Sequence, residues 1–135
     1  MLWTPIAILV LAAAATSASP TAPSPALVLS CDMGPPPGAA GAPSVVRIFR
    51  IAPGSFQEWR AAQGQFGNNL CLSFPCTADA GRMRGTISSA TLVLTVEVDP
   101  GHGAGAWRSV GASGHSRTNG ACAVQSEAAW RAQRR

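Results

Sequence analysis

The chain reads as a small, mostly-β domain stapled by disulfides, and three observations point there. Residues 86–99 alternate: Ala90, Leu92, Leu94, Val96 and Val98 fall on one side, and Ser89, Thr91, Val93, Thr95, Glu97 and Asp99 on the other. A helix would scatter those leucines and valines around its circumference, whereas a strand puts one face on a core and the other in water. Residues 44–51 (SVVRIFRI) are rich in β-branched side chains and bounded by Pro43 and Pro53, which suits a central strand. Four cysteines accompany these strands. Short strands separated by Gly- and Pro-rich turns suggest a sandwich or a barrel.

The chain begins with an uncharged apolar run, residues 6–15 (IAILVLAAAA), followed by Thr16, Ser17 and Ala18. This pattern predicts a secretory signal peptide over 1–18, too short to span a bilayer and ending in small residues that a signal peptidase accepts. Residues 1–5 lack Lys and Arg, so the α-amino group supplies the only positive charge there. Pro20, Pro23 and Pro25 stop any helix from continuing. Residues 19–25 then form a Pro/Ser-rich linker, 26–125 a single extracellular β domain, and 126–135 a basic tail. No later apolar stretch approaches the ~20 residues of a membrane span. The expected location is extracellular: a secreted protein, or the ectodomain of a longer membrane-anchored product.

Within the domain, Ala26-Leu27-Val28-Leu29 leading to Cys31 predicts the first strand, and the proline run at 34–43 an exposed loop. Ser55-Phe56-Gln57-Glu58 matches a capping box, in which Ser and Glu side chains satisfy each other's free backbone amides. With Gly64 placed to end it, this predicts one short helix at 55–63; its competitor is an edge strand carrying Trp59. Residues 70–74 read as a strand stopped by Pro75. Residues 107–112 and 121–125 are weaker strand signals, and 126–133 reads as a terminal helical turn or a frayed end.

Cys31, Cys71, Cys76 and Cys122 allow three pairings, and the sequence does not choose among them. A Cys71–Cys76 bridge would close a tight loop; Cys31 with Cys122 would tie the ends of the domain together. Zinc needs paired ligands at short spacing, and neither two Cys-x-x-Cys units nor a close His pair occurs. His102 and His115 sit in glycine-rich loops without an orienting partner in sequence. Gly111-Ala112-Ser113-Gly114 lacks the second glycine of a nucleophile elbow, because His115 stands there. The six carboxylates are dispersed, and no cofactor motif is present. We therefore expect no enzyme activity, no metal and no cofactor.

All ten basic residues are arginine and the net charge is +4. The arginines are scattered, with no dense basic stripe of the kind that binds nucleic acid, so solvated surface is the expected role and contact with acidic glycans or an acidic partner the minor one. Trp107 is expected in the core. Trp130, His102 and His115 are the candidate interface residues, since Trp is favoured at binding hot spots.

Val28-Leu29-Ser30-Cys31 resembles the strand carrying the first core cysteine of variable-type immunoglobulin domains. Residues 89–94 (SATLVL) resemble that family's strand E. Gly105-Ala106-Trp107-Arg108-Ser109 resembles its Gly-x-Tyr-x-Cys, with Ser109 where the second cysteine belongs. The likeness covers 26–125 and implies an immunoglobulin-like sandwich. Two departures stand out: Ile48 or Phe49 occupies the stretch of the expected tryptophan, and Ser109 cannot bridge, so the bridging would run through Cys71, Cys76 or Cys122. The function expected from these features is a secreted or cell-surface-type, non-catalytic binding module. It would act by protein–protein recognition on an extracellular or cell-surface protein, with loops 34–43 and 101–120 as its contacts. The alternative is a small secreted ligand, or a decoy that captures a cytokine or receptor.

Overall fold

The computed structural model describes residues 26–77, 83–99, 104–111 and 114–135. The expected signal peptide, the linker and His102 lie outside them. Eight antiparallel strands form one hydrogen-bonded sheet: β1 (Leu27–Asp32), β2 (Val46–Ala52), β3 (Ser55–Arg60), β4 (Gln65–Phe66), β5 (Met83–Ser88), β6 (Leu92–Asp99), β7 (Ala104–Gly111) and β8 (Asn119–Ser126). Their order is β4-β3-β2-β1-β8-β7-β6-β5, so the first and last long strands pair at the middle. Helix α1 (Glu127–Ala132) follows, its N-cap Ser126 accepting from the Ala129 amide.

The sheet curls until β5 meets β2 and β3. Gly85 permits this approach, because a Cβ there would run into the Phe56 ring. The outer edge of β5 donates Thr86 N–H to Thr77 O (3.1 Å) and Ser88 N–H to Pro75 O (3.2 Å). The segment after the 3-10 turn Leu70–Leu72 thus spans part of the gap between the sheet's two ends. Inward-facing residues of all the long strands meet in one core of Leu29, Cys31, Met33, Phe49, Ile51, Phe56, Leu94, Val96, Val98, Trp107 and Cys122. Gly120 leaves room for the Trp107 ring, whose indole N–H donates to Asp32 O at 3.0 Å.

Both cysteine pairs form bridges, Cys31–Cys122 and Cys71–Cys76. Cys31 faces Cys122 directly across the β1–β8 pair, their Cα atoms 4.1 Å apart. This bridge joins neighbouring strands of one sheet.

Three expectations are corrected. The helix expected at 55–63 is strand β3. Pro53 and Gly54, the latter at φ 68°, make a two-residue turn that folds Ser55–Arg60 back onto β2. Phe56 and Glu58 then face inward with Trp59 outward, so tertiary pairing and a period of two override the capping box. The strand expected at 70–74 is the 3-10 turn, capped by the Asn69 side chain, which accepts from the Cys71 amide. Residues 86–99 are two strands rather than one, turning at Ser89–Thr91, where Ser89 Oγ accepts from the Leu92 amide at 3.2 Å. The inward alternation of Leu94, Val96 and Val98 is as expected.

Candidate functional site

Three places on this scaffold carry chemistry. The first lies at one end of the curled sheet, where the inward column of β2 changes from Ile51 and Phe49 to Arg47. The Arg47 guanidinium grips Glu58 on β3 with two bonds, Nε–Oε1 at 2.7 Å and Nη2–Oε2 at 2.8 Å. Its remaining nitrogen, Nη1, donates to His115 Nε2 at 3.1 Å. A guanidinium only donates, so Nε2 carries no proton in this contact. Burial, and then the Arg47 charge, push the His115 pKa below its ordinary value; Glu58 opposes them. The imidazole also packs edge-on to Trp107, with centroids 5.8 Å apart. Beside it, the Asp32 carboxylate accepts from the Gly34 amide (2.8 Å) and pairs with Arg117 (3.0 Å). The Gly34 hydrogen bond leads the effects that lower its pKa. His115, expected as an interface residue in a glycine-rich loop, is half-buried and draws its loop onto the end of the curled sheet.

The second place is the outer side of β1–β3, which α1 covers. Val28 points away from the main core yet is fully buried. Trp130, expected as an interface residue in the basic tail, is 4 % exposed. That expectation is corrected: its ring packs against Trp59 (4.7 Å between centroids) and Phe66 (5.2 Å), because Ser126 caps a real helix and aims it at the sheet. Arg50 fastens the helix by donating to Glu127 (2.8 Å) while its guanidinium lies over Phe66. Burial pushes the Glu127 carboxyl up, but hydrogen bonds from Arg131 and Arg50 outweigh it and the net shift is downward. Arg134 lies against both indoles, its Cζ 4.7 Å from the Trp59 ring and 4.8 Å from Trp130. Nothing in the sequence beyond a spacing of four between Trp130 and Arg134 hinted at this arrangement.

The third place is the outer side of β5–β8. Arg84, Ala104, Ala106, Arg108, Val110, Asn119, Ala121 and Ala123 are all exposed there, Val110 at 55 %. Two cross-strand contacts brace it: Thr86 Oγ1 to Thr95 Oγ1 at 3.2 Å, and Arg84 Nε to Glu97 at 2.6 Å. Among the described residues no helix covers this side, in contrast to β1–β3.

Among the described residues, no cluster of His, Cys, Asp or Glu could hold a metal, and no helix is long and apolar enough to cross a membrane. No known protein family, curated protein or solved structure matches the chain.

Proposed function

We propose that the protein is an extracellular, non-catalytic binding module that recognises a protein partner through the open outer side of β5–β8. The observation that carries this reading is the unequal treatment of one sheet's two flanks. On one, α1 covers Val28, Trp59 and Phe66, with Val46 left exposed beyond it; the other presents alanines and Val110 beside Arg84, Arg108 and half-buried threonines. Small side chains on paired strands let a partner approach closely, the hollow of about 470 Å³ between Arg84, Thr95 and Arg108 offers it a foothold, and a rigid β scaffold loses little entropy on binding. Two disulfides fit an oxidising compartment, where such bonds form and persist. On this reading the likeness to immunoglobulin domains is one of use, a disulfide-tied β scaffold presenting a sheet face, with a strand order of its own.

The test is binding of the secreted, fluorescently tetramerised protein to intact cells, before and after surface proteins are stripped by protease. Saturable, protease-sensitive binding is expected, lost in V110D and in A121R while their thermal unfolding stays unchanged. Binding that survives both substitutions would overturn the assignment to this flank. Activation of a receptor by the purified protein alone would move the reading to a secreted ligand.

A further inference from the structure

The side opposite the open flank carries a groove of different chemistry. A groove of about 420 Å³ runs between α1 and the turn after β3, lined by Trp59, Gly64, Trp130, Arg131, Arg134 and Arg135. Its size falls in the ordinary range for small-ligand sites. Arg131 is committed to Glu127 (Nη2–Oε1 2.7 Å), but no carboxylate among the described residues pairs with Arg134 or Arg135. The two indoles lie edge to face with each other and both hold Arg134. A guanidinium held against aromatic faces by its charge keeps its in-plane N–H donors for an anion. Its side-chain freedom is already reduced, so little further entropy is lost when an anion arrives.

We infer that this groove binds a sulfated polysaccharide, with Arg134 and Arg135 pairing to sulfate groups and the half-buried Trp59 ring beside the sugar. The forked guanidinium matches the tetrahedral oxygens of a sulfate two at a time. Aromatic planes offer sugars an apolar wall that an isolated basic patch lacks. The Trp59 indole nitrogen is buried without a hydrogen-bond partner among the described residues, so the cluster holds a donor that its own packing does not satisfy. The inference takes only its location from the extracellular reading and shares no residue with the β5–β8 surface, so either can fail alone.

The test uses the purified, oxidised full chain on immobilised heparin, with sucrose octasulfate as soluble competitor. Retention at low salt is expected, with release as salt screens the contacts. R134Q should weaken the affinity at least about fivefold, and R134Q/R135Q further, whereas R117Q removes the same single charge at the far end of the molecule and should change it little. Sucrose octasulfate should also quench indole fluorescence in the wild type and not in R134Q. Equal losses in R134Q and R117Q would show net charge alone at work and overturn the site. Absence of retention at low salt would overturn it too, as would binding to phosphatidylserine vesicles in place of heparin. Circular dichroism of each variant confirms that the comparison is made between folded proteins.

Discussion

The outer side of β1–β3 carries Val28, Arg50, Gln57, Trp59 and Phe66 beneath α1, whereas the outer side of β5–β8 carries Thr86, Thr95, Ala106, Arg108, Val110 and Ala121 beneath nothing described. Both are faces of one curled sheet, and both back onto the same core. They differ in side-chain size. The first presents large aromatics and a fully buried valine, which must be shielded from water; the second presents small or polar groups, which need no cover. A cover also sets what a face can do. Beside α1 the aromatics hold a cation at a groove, while the open flank carries a hollow of about 470 Å³ bordered by Arg84, Thr86, Thr95, Glu97 and Arg108.

Removing the bridge that holds the two flanks together should have the largest effect. C31A/C122A opens a crosslink of sequence separation 91 and should cost about 4 kcal/mol on the chain-entropy account, read from urea unfolding. Next comes the covered flank itself. W130A strips the ring that packs on Trp59 and Phe66 and should cost about 3 kcal/mol, while V110A on the open flank stays within about 0.5 kcal/mol. Equal costs at the two positions would erase the distinction between the flanks.

Smaller effects probe the end of the curled sheet between them. E58Q breaks the two-pronged grip of Arg47 in a half-buried setting, and should cost about 1–2 kcal/mol, discounted from the fully buried case. The His115 pKa lies below its unfolded value of about 6.5, so the unfolded chain binds more protons as pH falls through that region. Stability is therefore full above about pH 7 and declines as pH drops through 6.5 towards the folded pKa. H115Q should flatten that part of the profile, and NMR titration of the imidazole should place its pKa below that of free histidine. Asp32 and Glu127, both lowered, contribute stability above the ordinary carboxylate range and lose it in stronger acid. Last, the Ser109 hydroxyl is buried without a partner among the described residues, so S109A should be neutral or stabilise by up to about 1 kcal/mol.

Particular elements show which parts of this were readable in advance. β1, β2, β7 and β8 stand close to where short apolar runs between turn signals placed them, and Leu94, Val96 and Val98 face inward as their alternation required. Trp107 is in the core. Ser55 and Glu58 satisfy a local helix rule, but the stronger constraint, the Pro53–Gly54 turn that delivers the segment to β2, acts through pairing, so the segment is β3. Of the candidate interface residues, Trp130 is buried and His115 is held by Arg47, since a residue's exposure depends on what folds over it.

The sequence by itself determined the β character, most strand positions and the bridge-forming potential of four cysteines, because alternation, turn chemistry and composition are local properties. Only the tertiary structure decided that Cys31 faces Cys122, that one helix covers Val28 and Trp59 on one flank and leaves the other open, and that Arg134 comes to rest against two touching tryptophans. Those outcomes depend on strand order and on which surfaces meet across tens of residues, and side-chain spacing along the chain does not encode either one.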